Sequence, residues 1–219
     1  AQLQSELPPN IKKTIFGRFR SIAYSDSGKK VLYDIWNKTT KIPDLKLNQD
    51  DFTSIAMDLA LFEHPDQTNI LAKAKNDITN PDKLERFEFL LPVLSNKIAD
   101  RDAFFESLKE EKNRAKESWT LTALNYLNHP LRQEESLKYL KPSLDLLDEI
   151  QKTGDIFFPK GWLNSTIGSY TSSEAYKILG DFIKANPDLN PALLKKLLQA
   201  PDDLRRVQLL SKKVDAKNN

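Results

Sequence analysis

The sequence predicts an all-helical protein, an irregular α-solenoid of antiparallel helix pairs of the HEAT or armadillo kind. Three observations carry this. Apolar residues recur at spacings of three and four along most of the chain, the period of a helix with one buried face. The 12 prolines fall mostly where such stretches begin or end, as N-cap and N1 chemistry requires. Only 6 of 219 residues are glycine, few for a turn-rich β sandwich, and the best strand candidate, Ile156-Phe157-Phe158, is too short to pair into a sheet alone. Successive helices with short loops pack as antiparallel neighbours. No fixed-period repeat of the tetratricopeptide or ankyrin type is present.

The first 47 residues carry the weaker helical patterns, Ile11 to Ala23 and Val31 to Trp36, and lead into an array spanning 48–211. Asn48 is a good N-cap for a helix whose face is Phe52, Ile55, Ala56, Leu59 and Phe62, with Asp50 and Asp51 at its positive end. His64-Pro65 stops it. Asn80-Pro81 opens the next, with Leu84, Phe87, Leu91 and Leu94 on one side and Pro92 as an expected kink. Phe104, Phe105 and Leu108 mark a short helix. Trp119, Ala123, Tyr126 and Leu127 mark another, stopped at His129-Pro130. Leu137, Leu140, Leu144 and Leu147 form a stripe in which Pro142 is a kink or a fresh start. Gly154 stands where a helix C-cap favours glycine. Thr171-Ser172-Ser173-Glu174 reads as a capping box before Ala175, Ile178, Leu179, Phe182 and Ile183. Asn190-Pro191 and Pro201 start the last two helices, and residues 212–219 read as a frayed tail.

Composition narrows the function classes. Hydrophobic residues make up 39% and charged residues 29%, too apolar a mixture for disorder. The net charge of +2, from 33 basic and 31 acidic residues, gives no electrostatic footprint for nucleic acid or a membrane face. With no cysteine, thiolate metal sites, disulfides and cysteine nucleophiles are excluded. No apolar run reaches the roughly 18 residues of a membrane span, so the chain reads as soluble, in the bacterial cytoplasm or the periplasm. The only methionine is Met57, which fits either a trimmed initiator or a chain cut from a larger protein.

The residues that hydrolytic chemistry needs are scarce. Zinc hydrolases take about three protein ligands, commonly two histidines one helical turn apart. Here His64 and His129 are far apart in sequence, each before a proline, and read as helix-terminal residues. The segment Gly161 to Ser169 holds no Gly-x-Ser-x-Gly elbow. The pairs Glu110-Glu111 and Glu134-Glu135 read as solvated helix faces. The expectation is a chain that is not itself an enzyme and holds no metal or other cofactor. One cluster stands out: Phe157, Phe158 and Trp162 lie within six positions on a loop and helix start. They are either a local core plug or an apolar patch that docks another domain.

Several motifs in order resemble a known family. They are Asn128-His129-Pro130-Leu131-Arg132, then Thr153 to Pro159 with Trp162-Leu163, then Ser173-Glu174-Ala175, and finally Leu194 to Ala200 before Asp202, Asp203, Arg205 and Arg206. Leu84-Glu85-Arg86-Phe87 and Asp100 to Phe105 fit the same region. Over roughly residues 50 to 210 the chain resembles the C-terminal helical end of zinc aminopeptidases of the aminopeptidase N family. Pro201 departs from the family's common alanine.

The resemblance implies a HEAT-like array that closes over a catalytic site carried by upstream domains. The zinc and the family's His-Glu-x-x-His and Gly-x-Met-x-Asn motifs belong to those domains, and neither motif occurs here. Its expected partners are the catalytic domain of its own parent chain and a peptide substrate, with no nucleic acid and no membrane. In that setting an arginine on the concave face would hold a peptide's terminal carboxylate. The candidates are Arg132, Arg101 and Arg114, with Arg132 favoured for its place at a helix start. The alternative function is a free-standing helical scaffold that binds a protein or peptide.

Overall fold

The computed structural model describes residues 3 and 5–218, and side chains as far as 210. Among them the regular structure is helical throughout, with no strand. No helix is long and apolar enough to cross a membrane. The chain divides into two compact units, Ala1–Ile98 and Ala99–Asn219.

In the first unit, α1 (Pro9–Ile22), α2 (Asp26–Trp36), α4 (Gln67–Asp77) and α5 (Pro81–Leu94) all pack against α3 (Gln49–Leu61). The central position of α3 follows from its composition: Ile55, Ala56, Met57, Leu59, Ala60 and Leu61 are all buried, so it has apolar surface for neighbours on several sides. Phe16, Leu32, Ile70, Phe87 and Leu90 complete this core. Each such side chain removed from water contributes roughly 1.5–3 kcal/mol. Asn48 caps α3 as expected, and it does so in a reciprocal box with Asp51. Asn80 caps α5 through the Lys83 N–H, and Pro92 lies inside that helix.

The helix α4 has no counterpart in the sequence reading. Of its residues only Gln67, Ile70 and Ala74 are buried, an apolar face too narrow to stand out.

Two helices of this unit end on left-handed residues other than glycine. After α2, Lys38 has φ 63°; its N–H donates to the Ile35 carbonyl, and the Thr39 N–H donates to Asp34. After α3, Glu63 has φ 56°, with its N–H on Ala60 and the His64 N–H on Leu59. Both are Schellman closures. Between them Pro43 and Asp44 (φ 57°) form a turn closed by the Leu45 N–H on the Ile42 carbonyl, the residue pattern of a type II turn. Lys12, 0% exposed, reaches across from α1 and donates to the Pro43 carbonyl at 2.7 Å, with the Asp44 carboxylate at 3.4 Å.

The second unit contains α6 (Ile98–Ser107, beginning at the boundary), α7 (Glu117–Leu127), α8 (Gln133–Ser136), α9 (Leu140–Asp145), α10 (Leu147–Thr153), α11 (Phe158–Ile167), α12 (Ser173–Ala185), α13 (Pro191–Gln199) and α14 (Asp202–Asn218). Here α7 packs on α11 and α11 on α13, α9 packs on α12 and α12 on α14, and α9 and α10 each also pack on α11.

Several details differ from the sequence reading. The stripe from Leu137 to Leu147 is broken into short pieces, with a 3-10 turn at Leu137–Tyr139 and Pro142 in the first turn of α9. Gly154 is the C-cap of α10 but has an extended backbone, φ −85° and ψ 168°, so left-handedness does not explain it. Space does: a Cβ there would come within 2.5 Å of Phe158 Cδ1 and 2.9 Å of the Ile150 carbonyl. The cap of α12 is Ser172, whose hydroxyl accepts the Ala175 N–H, one residue later than a Thr171–Glu174 box requires. The backbone of α14 is helical to Asn218, through most of the segment expected as a tail; residue 219 lies outside the described residues.

Polar ties between distant segments recur at similar sequence separations. In the first unit they join Lys12 to Pro43, 31 residues on, and Arg20 to Asp58, 38 on. In the second they join Arg101 to Glu135 at 34, Arg114 to Glu149 at 35, Glu117 to Asp155 at 38, Gln133 to Thr171 at 38 and Gln151 to Lys196 at 45.

Candidate functional site

The three candidate arginines lie in the second unit, at three different junctions, and all are buried. Arg101 on α6 donates from Nη2 to Glu135 Oε2 on α8. Arg114, in a 3-10 turn at Glu111–Arg114, donates from Nη1 to the Leu108 carbonyl and from Nη2 to Glu149 Oε1 on α10. The carboxylates of Glu135 and Glu149 already occupy the guanidinium faces that a peptide carboxylate would use. Arg132 stands in the 3-10 turn Pro130–Arg132, where its N–H donates to the His129 carbonyl at 2.7 Å. Only 3% of it is exposed. Arg101 and Arg114 are thus buried in pairs that join elements of this unit.

The aromatic cluster divides. Asp155 Oδ1 accepts the N–H groups of Phe157 at 2.6 Å and Phe158 at 2.9 Å, and the Asp155 N–H donates to Glu117 Oε1 on α7 at 2.9 Å. This clamp sets the start of α11 and sends consecutive side chains in opposite directions. Phe158 turns inward and meets Trp162 edge to face at 6.0 Å. Trp162 is fully buried, and its Nε1–H donates to the Ser143 carbonyl at 3.0 Å. Both belong to the unit's own core, as the core-plug alternative has it. Phe157 points out, 77% exposed, beside Ile156 at 74%.

The segment after α7 holds the polar centre of the unit. Asn128 is buried. Its Nδ2 donates to the Leu124 and Ser165 carbonyls, and its Oδ1 accepts the Tyr170 hydroxyl at 2.9 Å. Its backbone carbonyl accepts the Ser169 hydroxyl, and Ser136 donates to the neighbouring Leu127 carbonyl. One side chain thus ties the end of α7 to α11 and to the segment after it. Sequence reasoning weighed Asn128 only as part of a motif. The available signal was an asparagine directly after Leu127, where the apolar face of α7 runs out.

The two histidines serve as local caps. His64 stacks on Tyr33 at 4.7 Å with planes 11° apart, and its Nδ1 accepts the Asp66 N–H. Burial holds its pKa below the ordinary value, against the pull of Asp66. His129 Nδ1 accepts the Leu131 N–H at 3.3 Å. Burial lowers its pKa too, helped by the Arg132 charge. Among the described residues no three His, Cys, Asp or Glu side chains group as a metal would need.

On α6, Asp102 accepts from Tyr139 and Lys138, and these bonds hold its carboxyl below the usual range. Desolvation first, and then that bond, push the Tyr139 phenol up. The pair is set up to stay as a carboxylate and a phenol, with no proton poised to move near neutral pH.

Two cavities open in the first unit. One of about 320 Å³ lies between α3 and α5, over Met57, Phe87 and Leu90, with the Lys83–Asp50 ion pair among its lining. The other, about 230 Å³, lies under the α2–α3 connection. Comparisons with family models, with curated proteins and with solved structures give no match.

Proposed function

We propose that this chain is a non-catalytic, HEAT-like C-terminal domain of a zinc aminopeptidase of the aminopeptidase N family. In this reading it closes over a catalytic site carried by upstream domains and shapes the path of peptides to it. The observation that carries the reading is where the resembling residues lie. Each of four successive motifs contributes a residue to the buried core of one unit: Asn128, Trp162, Ala175 and Leu197. A buried anchor in each motif, beside exposed neighbours such as Leu131, Phe157 and Leu198, fits a shared architecture. Two further features support a stack of antiparallel helix pairs: the successions of contacts α7–α11–α13 and α9–α12–α14, and the ties at 31 to 45 residues. A solenoid of helix pairs brings each element against its counterpart one repeat later.

The reading implies that the purified chain does not release an N-terminal residue from an aminoacyl-anilide, with or without zinc. Zinc-dependent release that is lost on His64→Ala or His129→Ala overturns it. The mass of the native gene product separates it from the second reading, a free-standing scaffold for a protein partner, which the exposed Ile156–Phe157 pair favours. A parent larger by several hundred residues, with His-Glu-x-x-His upstream, supports the first. A native product of this length supports the second.

A further inference from the structure

We propose that the cavity under the α2–α3 connection binds a small amphipathic carboxylate, a straight-chain acid of about six carbons. This site is independent of the function proposed above.

The cavity is lined by Ile35, Ile42, Leu45, Leu47 and Phe52, with Lys38, Thr40 and Lys41 supplying its polar groups. The division of chemistry is sharp: the walls are aliphatic and aromatic, and all the charge is positive. Lys38 is held in place twice, by the left-handed backbone that closes α2 and by its ammonium lying 5.0 Å above the Phe52 ring. Lys41 is exposed and makes no ion pair or hydrogen bond among the described residues. The nearby acid of the same connection, Asp44, lies against the ammonium of Lys12 instead.

An apolar chamber edged by an uncommitted cation matches an apolar body that ends in an anion. Such pockets take their orientation from a few convergent polar groups. Here those are the Lys41 ammonium and the Thr40 hydroxyl. The volume of about 230 Å³ has room for a body of hexanoate's size.

Titration of the full chain with hexanoate at pH 7, followed by amide NMR, tests the proposal. Saturable shifts confined to residues 35–52 are expected. Hexan-1-ol, which keeps the body and lacks the charge, should bind about tenfold more weakly, the factor expected for one charge-assisted contact. Hexylammonium should not saturate. Lys41→Glu should weaken hexanoate at least tenfold while leaving hexan-1-ol unchanged. That comparison separates loss of the cation from loss of the fold. Leu47→Trp, which fills the chamber, should abolish both, with the amide spectrum outside 35–52 retained. The proposal is overturned by any of four results: no saturation, shifts centred elsewhere, equal binding of hexanoate and hexylammonium, or tighter binding of N-acetyl-leucine. The last would make the site a seat for a peptide C-terminus.

Discussion

Lys12 sits on α1 with its ammonium out of water, and its stabilising role depends on the Pro43 carbonyl it reaches. A hydrogen bond from a charged donor is worth about 1.5–3 kcal/mol, so Lys12→Met should lower unfolding free energy by about that much in urea titration. Lys13→Met removes an exposed ion pair with Asp51 and should change it by less than about 1 kcal/mol. Equal effects would mean that the Pro43 contact contributes nothing. Asn128→Ala should be worse still. It strands the buried Tyr170 hydroxyl and the Ser165 carbonyl, at about 1–3 kcal/mol each; a loss under 1 kcal/mol would show that water replaces the side chain. The histidines set a pH dependence. Both have folded pKa values below the ordinary 6.5, so the unfolded chain takes up protons first as pH falls. The stability they contribute is full above about pH 6.5 and is lost as pH drops through the folded values. Unfolding free energy should therefore fall between pH 7.5 and 5.5, and His64→Gln with His129→Gln should flatten that slope. Asp58, raised by burial, acts in the opposite sense, losing its contribution as pH rises through its folded value, and the double variant isolates the histidines from it. Residue roles were the least legible part of the sequence. An arginine that will be buried against a glutamate 34 residues on looks the same in sequence as one left in water.

Helix starts were legible because their chemistry is local. Asn48, Asn80 and Asn190 each accept an N–H two or three residues ahead, and at Asn80 and Asn190 a following proline announces it. Helix ends were harder to read, since α2 and α3 close on Lys38 and Glu63, where glycine is the usual signal. A left-handed residue with a Cβ costs about 1–2 kcal/mol, offset in part by glycine's greater freedom when unfolded. Glu63→Gly should accordingly raise unfolding free energy by about 0.5–1 kcal/mol, read from the denaturation midpoint at unchanged slope. A drop would show that the Glu63 side chain contributes more than its backbone strain costs. The stripe Leu137 to Leu147, with Pro142 as a kink or a fresh start, did not reveal the break into short pieces, for a related reason. Leucine spacing reports which side is buried, and the 3-10 turn at Leu137–Tyr139 keeps that side buried while changing the helix. In the aromatic cluster, spacing placed three rings close together, but the Asp155 clamp decides which of them faces out.

At the scale of the whole chain, the all-helical class was evident from periodicity and from the low glycine count. The division at Ile98–Ala99 was not, because no glycine, proline or charge run marks it; it emerges only from which helices touch. The candidate ligand site was partly legible: Lys38 and Lys41 sit in a connection rich in lysine and branched apolar residues, but only the fold gathers Ile35, Leu47 and Phe52 around them. The recurring ties have a consequence for the order of folding. Loop-closure entropy grows as the logarithm of loop length, so closing 45 residues instead of 31 costs only about 0.3 kcal/mol more. Among these ties, then, none has an entropic head start over the others. Nucleation is decided by which neighbouring helices bury the most apolar surface, and a local lesion should change where folding begins before it changes whether folding occurs.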